Sequence, residues 1–184
     1  MQKPKYKEKL RLRFYPDAPE EKKVFLEIKK KYHGIVNKRR TVMTRKEAEF
    51  FVNFGIRPDY KDYMNKQVID ELEYFIKRYK PEPKVCIAYD RLAFFEKENP
   101  DLRISFDKNI RARLYDVPAV TEDWGVPLLE KGAYLMEIKA RYSKPLWLVH
   151  LLSKEKIQRV SFSKYGTYYK MLLQFDYEEN CINL

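Results

Sequence analysis

The chain has 184 residues, a length that suits one domain of ordinary size. Lys and Arg outnumber Asp and Glu by 38 to 27, and the formal net charge of +11 predicts a polyanionic partner: nucleic acid, phosphates or an acidic membrane surface. No stretch has the length of a membrane-spanning helix or the apolar core of a signal peptide. The two cysteines, Cys86 and Cys181, fit neither metal-ligand spacing nor a disulfide framework, so we predict a cytoplasmic protein with reduced thiols.

The sequence pattern in the first third of the chain predicts three strands. Residues 9–15 and 23–32 alternate apolar and charged side chains with a period of two, which is typical of strands that pack one face. A turn at His33-Gly34 would return the chain through residues 35–43 as a hairpin partner.

Two helices are predicted to follow these strands. Thr44 and Glu47 form a capping-box pattern for a helix over residues 44–54, and Gly55 can end it. Apolar side chains at helical spacing predict a longer helix over residues 62–79.

The sequence of the second half of the chain also predicts both strands and helices. The alternation predicts strands at residues 84–97, 102–107, 110–115 and 134–142, with 110–115 pairing with 102–107. Amphipathic patterns predict helices at residues 145–154 and 163–173. The interpretation is therefore an α+β chain forming one domain over residues 1–184.

At least four predicted strands carry aliphatic side chains on one face and charges on the other. In an open sheet such charged faces would be ordinary solvent-exposed surface. However, these faces are rich in Arg and include isolated carboxylates at Glu27, Asp107 and Glu137. An antiparallel β-barrel of about eight strands would turn them inward and hold a small ligand. A phosphate chain would offset the gathered cations, and a carboxylate among them would hold a divalent metal.

Five segments, in order, resemble one known family. They are KLRLRFY, FLEIKKKYHGIVNKRR, YDRLAFFEKENPDLRISFDKNIRAR, MEIKARYSKP and SFSKYGTYY. Together they resemble the VTC, or polyphosphate polymerase, domain of the triphosphate tunnel metalloenzyme superfamily. The resemblance implies an antiparallel β-tunnel flanked by helices, which uses ATP and a divalent metal, Mn²⁺ or Mg²⁺, to extend inorganic polyphosphate. It also makes a membrane-protein partner a candidate.

The resemblance implies roles for individual residues. Catalytic phosphate ligands are implied at Arg11, Arg13, Lys29, Arg91, Arg103 and Lys139. Contacts to ATP or polyphosphate are implied at Lys38, Arg40, Tyr89, Ser163 and Lys164. Glu137 is the implied metal ligand, and Asp107 and Glu27 are secondary candidates for metal binding or for pairing with the cations.

The chain departs from the family pattern at its start. A full family domain begins with additional strands, whereas this chain opens directly at the strand that carries Arg11 and Arg13. We therefore expect a barrel that is incomplete at its N-terminal side. Its exposed edge would favour pairing with another copy of the chain.

The leading functional hypothesis is transfer of the terminal phosphoryl group of ATP to a growing polyphosphate. With water as the acceptor, the same site would be a triphosphatase. A non-catalytic polyphosphate-binding module is the alternative from another class. The net charge alone also fits nucleic acid, but the cations alternate along strands and do not cluster in a tail or on a helix face, so nucleic acid is not the predicted partner.

Overall fold

A computed structural model describes residues 5–15, 23–114 and 125–182, with side chains described up to residue 174 in the last helix. This part of the chain contains two antiparallel sheets and four helices, so the predicted α+β class is confirmed. The chain divides into two compact units, Met1–Pro83 and Lys84–Leu184, each with its own sheet.

The sheet of the first unit has three strands in chain order: β1 (Tyr6–Arg13), β2 (Lys23–Tyr32) and β3 (Ile35–Thr44). All pairs are antiparallel, and His33-Gly34 forms the turn between β2 and β3 with positive φ at both residues, as a two-residue hairpin turn requires. The predicted hairpin is confirmed. The first strand differs from its prediction, because it begins at Tyr6 and ends at Arg13.

Two helices cover one face of this sheet: α1 (Arg45–Phe54) and α2 (Lys66–Tyr79). The predicted capping box of α1 is confirmed, and Gly55 ends the helix with a left-handed φ of 70°. Helix α2 begins four residues later than predicted because the side chain of Asn65 caps it. The core between sheet and helices contains Val24, Leu26, Ile28, Met43, Ala48, Phe51, Met64, Val68, Ile69, Leu72, Phe75 and Ile76.

The sheet of the second unit is organised around one long strand. It contains β4 (Val85–Phe95), β5 (Arg103–Leu114), β6 (Val126–Pro127) and β7 (Leu135–Lys139). Strand β5 pairs with β4 on one side and with β6 and β7 on the other.

The prediction of separate strands at 102–107 and 110–115 is wrong, since both segments lie in β5. Asn109 has a φ of 50°, and Asn109 and Ile110 together lie opposite the single residue Tyr89 of β4. This extra residue interrupts the period of two without ending the strand. Asn tolerates the left-handed backbone better than most residues.

Two helices complete the second unit: α3 (Leu146–Lys154), which follows Pro145, and α4 (Lys164–Ile182), which is longer than predicted. A core cluster joins α4 to the sheet through Ile110, Ala112, Leu128 and Tyr168. Burial of Tyr168 positions the start of α4 against β5, next to the charged residues described below.

Neither sheet closes into a barrel within the described residues, so the predicted barrel is not confirmed. Strands β1 and β3 are the two edges of the first sheet. The single domain over residues 1–184 stays a prediction. Among the described helices, none combines the length and the apolar character needed to span a membrane.

Candidate functional site

The face of the first sheet opposite the helices is strongly basic, and we call it the cationic face. Because side chains alternate along each strand, its members follow from the strand register. The basic residues are Lys7, Lys9, Arg11, Arg13, Lys23, Lys29, Lys31, Lys38 and Arg40. Glu27 is the carboxylate on this face within the described strands. All five predicted site residues of this unit therefore share one surface with a large excess of positive charge.

Glu27 lies beneath three of these cations. Its side chain is 1% exposed, Arg11 Nε donates to Oε2 at 2.8 Å, and Lys38 Nζ lies 2.8 Å from Oε1. Arg13 Nη2 is 3.9 Å from Oε2. Burial by itself would raise the pKa of Glu27, but hydrogen bonds from Lys38 and Arg11 outweigh it and lower the pKa below its usual value. The carboxylate is therefore ionised at neutral pH and holds these cations in place.

Arg40 and Lys29 lie on the cationic face next to Glu27. Arg40 is opposite Glu27 in the register, yet its guanidinium packs over the ring of Phe25, with Cζ 4.9 Å from the ring centre. Lys29 is exposed and lies between Lys9 and Lys38 in the register. Both side chains present charge to solvent where a polyanion could reach it.

Asp107 is the centre of a similar cluster in the second unit. Its side chain is 1% exposed, and Arg91 donates to both carboxylate oxygens at 2.5 and 2.7 Å. Lys164 Nζ, at the start of α4, donates to Oδ2 at 2.6 Å. Burial would raise the pKa of Asp107, but these hydrogen bonds lower it, and they also raise the pKa of Arg91. The bidentate geometry fixes the orientation of the Arg91 guanidinium.

Tyr89 supports both cations of this cluster. Its ring centre is 5.1 Å from Arg91 Cζ and 4.5 Å from Lys164 Nζ. The structure thus brings together Tyr89, Arg91 and Lys164, three of the residues to which the resemblance assigned phosphate or nucleotide contacts. The Tyr89 ring contacts these cations and also packs against the core cluster around Ile110 and Tyr168, and its contact with a nucleotide stays a prediction.

Glu137, Lys139 and Arg103 lie on the same sheet face, closer to solvent. The side chain of Glu137 is 46% exposed, 3.4 Å from Lys139 Nζ and 3.7 Å from Arg91 Nη2. Arg103 pairs with Lys139 in the register and packs over Phe95, with Cζ 5.1 Å from the ring centre. Glu137 and Lys139 are exposed and Arg103 is partly buried, and the three form a charged group beside the buried Asp107.

Strand β7 ends at Lys139, so Arg141 lies outside it, although the predicted strand over residues 134–142 included this residue. Its guanidinium pairs instead with Asp101, at 3.6 Å.

Ser163 immediately precedes helix α4. Its Oγ accepts a hydrogen bond from the Gly166 backbone N–H at 3.2 Å, and the helix begins at Lys164. The positive end of the helix dipole therefore lies at Ser163 and Lys164, a position that favours an anion. The Ser163 hydroxyl proton can still donate to a phosphate oxygen.

A metal site built by the protein alone is absent from the described residues, which contain no group of three or more His, Cys, Asp or Glu side chains that could hold an ion. The oxygens of Glu27 and Asp107 are bound by cations. Glu137 is exposed enough to share an ion with a ligand's oxygens, as Mg²⁺ bound to phosphates commonly requires.

Comparison with protein-family models gives a match over most of the chain. A family model for the VTC domain matches residues 1–173. The chain belongs to the VTC domain family. No curated protein matches this VTC domain. The resemblance seen in the sequence segments is thereby confirmed, and the roles of the individual residues stay predictions.

Sequence reasoning understated two features of this VTC domain. Glu27 and Asp107, secondary candidates in the sequence, are the most buried carboxylates and the centres of both clusters. Four lysines of the cationic face were not predicted as site residues: Lys7, Lys9, Lys23 and Lys31. The signal for these lysines was present, because they continue the same two-residue alternation towards the strand ends.

Proposed function

We propose that this VTC domain binds polyphosphate and ATP and transfers the terminal phosphoryl group of ATP to a growing polyphosphate. The observation that carries the proposal is the cationic face, where nine basic residues share one surface with the single carboxylate Glu27 in the described strands. Such a face is unfavourable without a polyanion because like charges repel across neighbouring strands. Membership of the VTC family supports the choice of polyphosphate as that polyanion.

The proposed phosphate ligands of the first unit are Arg11, Arg13, Lys29, Lys38 and Arg40. Arg offers a planar fork that matches phosphate oxygens, and Lys offers a compact charge. Glu27 orients Arg11 and Lys38 before any ligand binds. Because the cations are already positioned, little side-chain entropy would be lost when phosphate binds.

The second unit supplies a further proposed set: Tyr89, Arg91, Arg103, Glu137, Lys139, Ser163 and Lys164. Asp107 holds Arg91 and Lys164 in fixed positions. Fixed donors stabilise charge that develops during phosphoryl transfer more effectively than mobile ones. Arg103 and Lys139 are proposed to hold the phosphates at the exposed side of this group.

A divalent metal, Mn²⁺ or Mg²⁺, would take Glu137 as its one carboxylate ligand alongside phosphate oxygens, because this carboxylate is exposed. Bound there, it would neutralise charge on the phosphate oxygens. Lys139 and Arg91, at 3.4 and 3.7 Å from Glu137, would hold the same phosphates from the protein side.

The proposed reaction needs little covalent chemistry from the protein. An oxygen of the terminal phosphate of polyphosphate attacks the γ-phosphorus of ATP, the bond to the β–γ bridging oxygen breaks, and ADP leaves with that bond's electron pair. The cations of the second unit near Glu137 would align the two phosphates and spread the charge of the transferred group. With water as the attacking group, the product would be free phosphate.

The experiment that tests the proposal incubates the purified chain with ATP and Mn²⁺. Polyphosphate is followed on a gel, and free phosphate is measured in parallel. We expect polyphosphate. If only free phosphate forms, the activity is that of a triphosphatase and not of a polymerase. If no product of either kind forms, catalysis by this chain is contradicted.

The variant Glu137→Gln separates catalysis from binding. It keeps the size of the side chain but removes the charge proposed to share the metal. We expect turnover to fall about 100-fold or more while the affinity for tripolyphosphate changes less than about threefold. Glu98→Gln, at an exposed position of the same unit, is the matched control and should change neither.

A non-catalytic polyphosphate-binding module is the second candidate function. It is favoured by the open sheets, since neither closes into a barrel within the described residues. Such a module would bind tripolyphosphate with unchanged affinity in Glu137→Gln and show no turnover in either form. Binding of DNA that tripolyphosphate does not displace would instead support a nucleic-acid-binding protein.

Cellular location and partners are further proposals. A cytoplasmic location fits the free thiol of Cys86, and a membrane-protein partner would receive the product. Strand β1, an edge of the first sheet, offers unpaired backbone groups through which two copies could associate. Light scattering over a range of concentrations tests that association, and a monomer at all concentrations would contradict it.

A further inference from the structure

Helix α3 is apolar but buries little of its surface. Among its nine residues, Leu148 is the buried one. Leu146 is 74% exposed, and Trp147, Val149 and Leu151 are each 43–50% exposed. Helix α2, which has six charged residues, buries five apolar side chains by contrast. We call Leu146, Trp147, Val149 and Leu151 the α3 patch.

The exposed side chains of α3 lie on both sides of its line of contact with the protein. Leu148 and Leu152 are one turn apart and take the side that faces the protein, since one is buried and the other half-buried. Trp147 and Leu151, also one turn apart, lie on one flank, and Val149 lies on the other. A helix that is apolar nearly all round is normally covered, and a contiguous exposed apolar patch marks an interaction site. The α3 patch therefore indicates an external partner.

The turn after α3 fixes two lysines beside the patch. The Ile157 N–H donates to the Leu152 carbonyl at 2.8 Å, and the Lys156 N–H donates to the Ser153 carbonyl at 3.0 Å. Together with a left-handed φ of 52° at Lys156, these bonds form the Schellman arrangement that ends many helices. The backbone of Lys154 and Lys156 is thereby held at the C-terminal end of the patch.

The chain around α3 is strongly basic. Residues 140–160 contain five basic residues and one acidic residue, Glu155. Arg141 pairs with Asp101, and among the described residues none forms an ion pair with the other four basic side chains. We call these four, Lys144, Lys154, Lys156 and Arg159, the basic flanks. The surface is thus apolar along the helix and cationic at both of its ends.

The basic flanks favour an acidic partner over a second copy of this chain. If α3 of another copy packed on the patch, lysines of the two copies would come close together, because both ends of the helix are basic. Like charges that face each other across an interface oppose association. An anionic surface would instead neutralise the flanks while its apolar part covers the patch.

The side chains of α3 fit a lipid surface. Long apolar side chains bordered by lysines are typical of helices that lie in the interface of an anionic membrane, and tryptophan is enriched at that depth. Trp147 is half exposed, and its indole N–H donates to Glu96 at 3.2 Å. The nine residues of α3 span about 14 Å, against about 30 Å for the hydrocarbon core of a bilayer, so the helix would lie along the surface.

We propose that α3 docks the chain on an anionic lipid surface. The α3 patch enters the boundary between headgroups and acyl chains, and the basic flanks contact the lipid phosphates and carboxylates. His150, which is exposed and lies one turn from both Leu146 and Lys154, meets the headgroups. This inference goes beyond the proposed function and is independent of it, because none of these residues belongs to the proposed phosphate site.

The test sediments the full chain with vesicles of phosphatidylcholine, alone or mixed with phosphatidylserine. Excess tripolyphosphate is present, so that the cationic face is occupied. We expect the affinity for the mixed vesicles to exceed that for phosphatidylcholine by about tenfold or more, because several basic side chains act near the anionic headgroups.

The variant Leu146→Ser/Leu151→Ser removes apolar contact without touching the core, since both side chains are exposed. We expect its affinity for the mixed vesicles to fall about tenfold. The matched control is Phe54→Ser/Ile56→Ser in the first unit, where the two side chains are 70% and 55% exposed. The control should bind the vesicles like the wild type.

Two further measurements keep the test independent of folding. Lys144→Gln/Lys154→Gln leaves the patch intact and should lower the affinity for the mixed vesicles about fivefold or more. In a Trp124→Phe background Trp147 is the remaining tryptophan, and its fluorescence should shift to shorter wavelength when the mixed vesicles are added.

Three results would overturn the docking of α3 on lipid. The first is a chain that binds neither kind of vesicle, and the second is equal binding by the wild type and Leu146→Ser/Leu151→Ser. The third is vesicle binding that disappears when tripolyphosphate is added, which would assign it to the cationic face. If light scattering shows a dimer that Leu146→Ser/Leu151→Ser abolishes, and no vesicle binding occurs, the partner of the patch is a second copy.

Discussion

The two buried carboxylates, Glu27 and Asp107, create similar charge clusters by different routes. Each is 1% exposed and binds one Arg and one Lys closely. The partners of Glu27 all lie on strands of a single three-stranded sheet. Asp107 instead accepts a hydrogen bond from Lys164, which lies on a helix and is 57 residues further along the chain. Strand register alone can therefore build one such cluster, whereas the other depends on how a distant helix packs.

The two clusters also differ in how much water reaches their cations. Arg11 and Lys38 are 51% and 39% exposed, but Arg91 and Lys164 are 24% and 20% exposed. The charge of a less exposed cation is stabilised more by its carboxylate, because less water can solvate the cation if the carboxylate charge is lost. We therefore expect the Asp107 cluster to matter more for stability and the Glu27 cluster to respond more readily to an external anion.

The largest expected effect comes from acid, which removes both carboxylate charges. Their pKa values are lowered in the folded chain, so their stabilisation is fully present above the unfolded values of about 4 and is lost as pH falls through the lower folded values. The free energy of unfolding, measured by urea titration, should be nearly constant from pH 7 to about 5 and decrease below about 4. If Glu27→Gln/Asp107→Asn shows the same decrease, these carboxylates are not its main cause.

Asp107→Asn should be the most damaging single change of the two clusters. It leaves Arg91 and Lys164 without their shared anion and loosens the start of α4. We expect a loss of about 2 to 3 kcal/mol in the free energy of unfolding. Asp101→Asn, at an exposed position of the same unit, should cost less than about 0.5 kcal/mol. If both variants lose the same free energy of unfolding, the buried cluster contributes no more to stability than an exposed ion pair.

Glu27→Gln should be milder for stability but should alter ligand binding. Its cations can turn towards water, so we expect a loss of about 1 to 2 kcal/mol. The variant removes a negative charge from the cationic face, and tripolyphosphate should therefore bind at least as tightly as to the wild type. Calorimetry measures this affinity. A clear weakening would mean that the orientation of Arg11 and Lys38 outweighs the added net charge.

Thr44→Ala should have the smallest of these effects and touches neither cluster. It removes the side-chain half of the capping box at α1, which should cost about 1 kcal/mol of stability. Tripolyphosphate affinity should be unchanged. This variant shows whether a loss of stability in the first unit can by itself weaken anion binding. If Thr44→Ala binds tripolyphosphate more weakly than the wild type, a change of affinity in Glu27→Gln cannot be attributed to the charge of Glu27.

Features set by short-range rules could be predicted from the sequence. The hairpin at His33-Gly34, the capping box at Thr44 and the end of α1 at Gly55 depend on residues a few positions apart. The cationic face followed from simple alternation, because the helices take the apolar side of the strands. The sequence could not show that Asn109 continues β5 as one strand, since a bulge looks like a break in the pattern.

The sequence by itself determined that this chain has amphipathic strands with basic faces and belongs with the VTC domain. Only the tertiary structure decided which carboxylates are buried and which cations they hold. Glu27, Asp107 and Glu137 look alike in the sequence, yet the first two are covered and the third remains exposed. The physical reason is that burial and ion pairing depend on contacts between distant segments, such as Lys164 with Asp107, which no local pattern records.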